Sequence, residues 1–485
     1  MMKIEPLYPK YESYLKDESG LTGEADGIVF PQNTEALAAI MRTAAKDGRR
    51  LTLQGSRTGL VGGAVPGGGL VVNFSRMNRV LGLEKKGDKD LLHVEAGATL
   101  EAIALAAAPK GLSFVPNPTE QSATAGGMFA AGSCGLNGLR YGAGHRHVEA
   151  LHWITPGGEI WQIRRGEYIF DESSCSLPGG RRIRCEEKWA SLPRAARLPQ
   201  KGQDLIDFLA GSGGRYGAVA GLWLNLLPRP RELWGVLYFF SETGSLIRFS
   251  EALLEWSKTP AGQQLTAAEY YDRATLELLA GARKRSSLLQ KLPPLPAQRA
   301  AVYLELSGDD QGALESALLD NYELFCDAGG DEDDTWAVNS PTEVQRLQQL
   351  RHSVTELLNA ASTAAAKEQG LPAGRLETDF TGPPEKLAQY LESYRSGLAR
   401  AGVRGYLYGH LLQNNLHAAL LPQDSAAWDR SQALIRQWGE KALQDNGLLI
   451  SEHGEGRLKE GLLESLLPPE AIAARETLVA RFTAL

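Results

Sequence analysis

Two short segments gather most of the residues able to hold a metal ion or move a proton. In 409-GHLLQNNLH-417, His410 and His417 stand seven residues apart, and in 450-ISEHGEGRLKEG-461, Glu452 and His453 are adjacent. The whole chain has only 8 histidines. Two imidazoles and a carboxylate (His410, His417, Glu452) suit zinc, manganese or iron(II), with positions left open for a substrate. His453 adds an imidazole whose ordinary pKa lets it accept a hydroxyl proton near neutrality. The bland alternative is a set of satisfied histidines on a sheet. Strand alternation separates the first two: 410, 412, 414 and 416 share one face, and 417 has the other parity. Joint ligation therefore requires a bend within LLQNN, where Asn414-Asn415 is turn-prone.

A chain of 485 residues must divide into two or more cores to position such groups. The formal charge of −7 argues against a nucleic-acid partner, because neutralising phosphates needs a basic surface. No apolar run reaches the ~20 residues of a membrane helix. The opening MMKIEPLYPKYESYLKDESG lacks the apolar core of a signal peptide, so the expected compartment is the cytoplasm. Cys134, Cys175, Cys185 and Cys326 form no CxxC and no cluster-binding run. Any redox chemistry must then pass electrons outward.

Along the chain, GIVFP reads as a strand, and Asn33 or Thr34 caps a helix carrying Leu37, Ile40, Met41 and Ala44. Gly48 stops it before the strand RLTLQ. There follows 55-GSRTGLVGGAVPGGG-69, seven glycines in fifteen residues, and later a second glycine–alanine run, 124-TAGGMFAAGSCGLNG-138. Such loops bring backbone amides close to an anion. Neither matches GxxxxGK[ST] or GxGxxG, so P-loop and Rossmann modes are unsupported. Two loops on one sheeted domain could instead embrace two ends of an extended dinucleotide. Residues 164–203 are charged, proline-bearing and aperiodic, which reads as a long surface insertion, partly mobile. The second half alternates strands and helices. It includes a long helix near 341–367 and a long strand or bent hairpin at RGYLYGHLLQNNLHAALL.

These pieces, in order, resemble a known family. LQGSRTGLVGGAVPGGGLVVNFSRMNRV is similar to the pyrophosphate loop of the FAD-binding domain of the vanillyl-alcohol oxidase type. FVPNPTEQSATAGGMFAAGSCGLNGLRYGAGHRHVEAL resembles its second flavin loop, and AGSGGRYGAVAGLWLNLLPRP the segment closing that domain. GHLLQNNLH and ISEHGEGRLK resemble the signatures of the D-2-hydroxyacid dehydrogenase branch: acceptor-type D-lactate dehydrogenase, D-2-hydroxyglutarate dehydrogenase and the large glycolate oxidase subunit. The resemblance implies an α+β chain: a two-part FAD domain over 1–230, a ferredoxin-like α/β cap and substrate domain over 231–455, and a helical segment 456–485 returning to the FAD domain.

By the same likeness, Gln54, Gly55, Ser56, Arg57, Thr58 and Gly59 cradle the pyrophosphate, and Gly62, Gly63 and Ala64 lie against the flavin. Pro118, Ser122, Thr124, Gly126, Gly127 and Ala130 hold its other side, and Gly217 and Val219 approach the adenine half. The first loop has no His or Cys for a covalent flavin link, so non-covalent FAD is expected. Arg351 matches the substrate arginine, whose guanidinium can grip a carboxylate through two hydrogen bonds. Its alternative is a solvated arginine on an amphipathic helix. Asn415 would orient substrate or flavin, or serve only as a turn residue.

The chemistry this implies is oxidation of a D-2-hydroxy acid of the D-lactate or glycolate kind. His453 takes the hydroxyl proton and a hydride passes to flavin, with a divalent ion on the substrate oxygens. Electrons go on to an iron–sulfur protein, an electron-transfer flavoprotein or a quinone. No transmembrane segment is expected, a partner could hold the chain peripherally at a membrane, and a homodimer is compatible. Three departures from the family pattern stand out. Gly213 replaces a Glu, Met128 replaces an Asn, and Leu412, Gln413 and Asn414 replace Gly-Asp-Gly. Gly213 and the altered 411–414 stretch favour the rival reading, a non-catalytic flavin-binding or electron-relay subunit. The retained His410, His417, Glu452 and His453 oppose it. A dehydrogenase or oxidase for a larger alcohol is a third reading.

Overall fold

A computed structural model describes residues 4–116, 120–287, 289–296, 299–372 and 374–485. Pro118 lies outside the described residues. The chain divides into two compact units. The first is Met1–Cys134, Ala143–Arg229 and Ile450–Leu485; the second is Gly135–Gly142 and Pro230–Leu449. The second unit thus ends at Leu449 rather than the expected 455, and it takes in the last four residues of the second glycine run, 135–138, with the four that follow.

In the first unit, the strands Gly27–Val29, Leu70–Asn73 and Leu51–Gln54 form a small parallel sheet in that order. The connecting helix Thr34–Lys46 starts at Asn33, whose side chain accepts from the amide of Ala36, and buries Leu37, Ala38, Ile40, Met41 and Ala44. Of the two caps expected, Asn33 is the one used. A second, antiparallel sheet centres on the long strand Ala218–Pro228, flanked by Lys89–Glu95 and Val148–Ile154.

The stretch 164–203 leaves many residues exposed and also has buried residues of its own, Phe170, Cys175, Ile183, Trp189 and Ala196. The C-terminal helix Pro469–Thr483 fastens it: Arg475 donates to the carbonyl of Ala196 at 3.0 Å and Arg481 to that of Arg184 at 2.5 Å. Its lack of period comes from short 3₁₀ turns around the hairpin Ser174–Ser176/Arg182–Arg184, whose apolar residues follow neither a helical nor a strand repeat.

In the second unit, seven strands form one antiparallel sheet. Their order is Thr335–Val338, Glu232–Phe240, Ala300–Gly308, Leu265–Tyr271, Gly405–His410, Asn415–Leu420 and Leu376–Glu377. One face packs Leu237, Phe239, Tyr271, Tyr303, Tyr406 and Tyr408 against Leu347, Leu350, Val354 and Leu358 of the helix Pro341–Gln369. The other packs Tyr238 and Phe240 against Phe249 and Phe325 of two further helices.

Among these apolar residues the first face carries buried carboxylates. Glu305 sits in the strand Ala300–Gly308 at 0% exposure, its Oε2 accepting from Gln348 at 2.7 Å. Burial pushes its carboxyl up to about 7; the Gln348 hydrogen bond lowers it and the neighbouring Glu269 charge raises it again. A folded-state pKa above the ordinary 4.5 means that the native protein binds more protons between those values, so stability falls as pH rises from about 4.5 through 7. Glu305→Gln removes the charge at every pH. Its unfolding free energy from denaturant melts is expected to exceed that of the wild type at pH 8, by up to roughly 3 kcal/mol, and to match it below about pH 4. Equal free energies at both pH values would show that Glu305 keeps an ordinary pKa.

Candidate active site

The first glycine loop starts at Gln54, whose amide donates to the carbonyls of Tyr14 at 2.8 Å and Ala64 at 2.6 Å, closing the loop on itself. Its buried Oε1 has no hydrogen-bond partner among the described residues. The loop runs through Ser56, Arg57, Thr58 and Gly59. Arg57 takes a φ of +64° and lays its guanidinium 4.3 Å over the ring of Tyr14. Gly62 has a φ of +78°, and Cβ atoms built on Gly63, Gly67 and Gly68 would meet nothing within 4 Å. The amide of Ala64 donates to Asp17 at 3.3 Å.

The second loop packs directly on the first. A Cβ on Gly55 would lie 2.2 Å from Oγ1 of Thr124. That hydroxyl caps the helix Ala125–Ala131 by accepting from the amide of Gly127 at 3.2 Å. Gly126 closes against Ala96, where a Cβ would come within 2.8 Å. Ser122 is exposed and bonded to Glu120, and Ala130 accepts from the amide of Gly213 at 2.9 Å. Gly213, at φ +62°, occupies a left-handed position disfavoured for a side chain such as Glu. Next to it, the buried hydroxyl of Ser212 has no partner among the described residues. Gly217, at φ +143°, and Val219 begin the central strand.

The segment bearing Glu452 and His453 seals these loops within the first unit. A Cβ on Gly454 would meet Ala131 at 3.1 Å, and one on Gly456 would stand 2.2 Å from the carbonyl of Val61 and 2.6 Å from the amide of Gly63. The amide of Leu458 donates to that Val61 carbonyl at 3.0 Å. Nε2 of His453 lies 3.9 Å from Oε1 of Glu452. Glu455 is held by Arg475 and by Arg215 at 2.8 Å. Burial raises its carboxyl, and the two guanidiniums outweigh burial and hold it below the ordinary range. Gly456→Ala is expected to cost most of the bound flavin while the far-UV spectrum of the protein persists; measuring the visible flavin band per mole of protein checks it.

In the second unit the turn demanded by the sequence is present. Leu411, Leu412, Gln413 and Asn414 join the strands, with Asn414 at φ +47° and its Nδ2 donating to the carbonyl of Pro383 at 2.9 Å. Register places His410 opposite Asn415 and His417 opposite Tyr408, so all four side chains share one face. The imidazole rings are 6.2 Å apart. Asn415 is therefore a buried strand residue rather than a turn residue, and its Oδ1 has no partner among the described residues. Nδ1 of His417 lies 3.3 Å from the carbonyl of Thr378. Two residues the sequence reading missed join them. Asp379, fully buried, brings a carboxylate oxygen within 4.8 Å of a ring nitrogen of His417. Glu269, also fully buried, contacts Nδ1 of His410 and accepts from Nε of Arg351 at 2.9 Å. Arg351 is thus no solvated helix residue: it is 8% exposed, with its guanidinium 4.7 Å over the ring of Tyr408.

The other histidines serve packing. His93 stacks on Trp223 at 3.7 Å, with His152 edge-on to the same ring at 4.8 Å. His147 packs edge-on to Phe114, and His352 pairs with Glu356 at 3.2 Å. Burial drives the His145 imidazole down to about 4, the charge of Asp207 opposing it in part.

Comparison with known proteins decides what these loops belong to. Residues 25–164 match the family described as FAD binding domain, and residues 251–480 match FAD linked oxidases, C-terminal domain. The chain belongs to the FAD-linked oxidases. This FAD-linked oxidase is 24% identical over 466 residues to a D-lactate dehydrogenase of Anaerostipes hadrus, covering 94% of this chain and 87% of that one. It is 25% identical over 463 residues to the glycolate oxidase subunit GlcD of Bacillus subtilis, covering 94% and 86%. With a mitochondrial D-2-hydroxyglutarate dehydrogenase of Arabidopsis thaliana it shares 25% over 470 residues, covering 93% and 72%. Among solved structures, a 4-ethylphenol oxidase from Gulosibacter chungangensis aligns with a TM-score of 0.69 at 16% identity, covering 99% of this chain and 92% of that one, so its fold is of the vanillyl-alcohol oxidase type. It is an FAD-linked oxidoreductase of the D-lactate, glycolate and 2-hydroxyglutarate dehydrogenase type. No helix among the described residues is long and apolar enough to cross a membrane.

Proposed function

We propose that this FAD-linked oxidase oxidises a D-2-hydroxy acid of the D-lactate or glycolate kind to the 2-oxo acid. The carrying observation is the buried face of the second unit, which gathers His410, His417, Asn415 and Arg351, with Asp379 beside His417. The glycine loops fit FAD: they combine open Cβ positions with buried, unpartnered oxygens at Gln54 and Ser212. Bound there without a covalent link, FAD would supply the hydride acceptor.

Imidazole and carboxylate donors fit a divalent ion such as zinc, manganese or iron(II), which would supply Lewis-acid polarisation of the substrate oxygens. His410, His417 and Glu452 are the ligands in this reading, joined by Asp379. Arg351 offers the substrate carboxylate its terminal Nη edge, Asn415 orients the substrate, and His453 accepts the hydroxyl proton. The electrons leave to an external iron–sulfur protein, electron-transfer flavoprotein or quinone.

Anaerobic titration tests the reading. The visible flavin band should bleach with at least one of D-lactate, glycolate or D-2-hydroxyglutarate, and not with L-lactate. A flavin inert to all three D or achiral acids, in a protein free of divalent ion, would leave the non-catalytic flavin subunit in its place.

A further inference from the structure

The carboxylate of Glu269 stands in the middle of an apolar strand, Leu265–Tyr271, at 0% exposure. A buried charge costs several kcal/mol unless it is paired. The ion pair with Arg351 at 2.9 Å already neutralises it. Glu269 nonetheless spends its second oxygen, Oε1, on Nδ1 of His410, directly opposite in the strand register. Arg351 comes from the helix Pro341–Gln369 and His410 from a strand, so one carboxylate joins two elements at two functional candidates.

We infer that Glu269 is the positioning residue of this site: it fixes His410 as the Nδ1–H tautomer and locks that ring to Arg351. The inference rests on the reading just proposed, in which His410 is a ligand and Arg351 a substrate anchor. A carboxylate can only accept, so the imidazole nitrogen facing it must carry the proton. The lone pair is then on Nε2, at the opposite edge of the ring, away from the Glu269 strand. Outer carboxylates that set the ring and tautomer of a ligating histidine typically change ion affinity 10–100-fold when lost. His417 is set in the same sense by a carbonyl, that of Thr378, which also can only accept. Both rings of the hairpin therefore present Nε2 as the basic nitrogen.

Glu269→Gln makes the test sharp. An amide has one accepting and one donating end, while Arg351 is always a donor. The amide oxygen must turn to Arg351 and its NH₂ to His410, which forces the Nε2–H tautomer and removes the lone pair. Nitrogen-15 spectra of histidine-labelled protein read each tautomer directly, and only 8 histidines contribute. The expected result is a switch of the His410 ring from Nδ1–H to Nε2–H in Glu269→Gln, with zinc affinity down 10–100-fold and FAD content unchanged. Glu269→Asp keeps the charge and should keep the tautomer, which separates positioning from loss of fold. A His410 ring that reads Nε2–H in the wild type, or that is unchanged in Glu269→Gln, overturns the inference. A wild type that shows the Nδ1–H ring but binds no divalent ion sinks the ligand role of His410 and leaves the tautomer assignment standing.

Discussion

The expected result for His453→Gln is a loss of about 10²–10⁴-fold in the rate of anaerobic flavin reduction, the usual share of a positioned acid–base group. The reasoning starts from the loop that carries it. Gly454 and Gly456 fit against Ala131 and Val61 with no room for a Cβ, so the loop is held on both glycine-rich loops of the FAD-binding unit. His453 itself is only partly buried. Glutamine keeps the size and a hydrogen-bonding end but cannot take up a proton at neutral pH. Flavin content and thermal stability should therefore stay near the wild type while the bleaching rate collapses. Rapid-mixing absorbance with D-lactate reads this. A variant that reduces its flavin at the wild-type rate would show that the proton leaves by another route.

The second large effect belongs to His417. Its ring is fully buried, opposite Tyr408 across the hairpin and beside Asp379. His417→Ala removes a direct donor, so divalent-ion affinity should fall by at least the 10–100-fold typical of changes to outer partners. Flavin reduction should fall with it, and excess zinc or manganese should restore part of the rate. Elemental analysis after dialysis, with reduction measured across an ion titration, checks both. His93→Ala is the control: that ring stacks on Trp223 in the other unit and should alter neither ion content nor rate. If His417→Ala retains its ion and its rate, His417 is only a packed histidine of the sheet.

Several of the site's parts were legible before any coordinates. The glycine loops declared themselves by density, because only a backbone meant to lie close to a ligand or to another loop tolerates seven glycines in fifteen residues. The histidine pair was visible too, and strand parity stated the condition on it: a turn between 410 and 417. Asn414 meets that condition in a left-handed conformation, as a short polar side chain can. Asp379 and Glu269 were not found. Neither Asp379, in RLETDFT, nor Glu269, in LTAAEYY, has a recognisable motif around it. A signal was present: a carboxylate flanked by apolar residues in a buried strand must have a partner, and both Glu269 and Glu305 break such runs. The ties of the 164–203 stretch to the C-terminal helix, nearly three hundred residues away, had no local signal in the sequence.

By itself, the sequence determined the kinds of groups available, the places where backbone must turn or stay bare, and the order of the two units' motifs. These follow from local chemistry: glycine's freedom at positive φ, caps, alternation, and the donor set of each side chain. Only the tertiary structure decided which groups share a face. Antiparallel register put His410, Asn415, His417 and Glu269 side by side, and a helix packed across that face delivered Arg351 to the same carboxylate. Glu269 meets Arg351 and His410 from 82 and 141 positions away, and the alternation of a single strand carries no information about its neighbour.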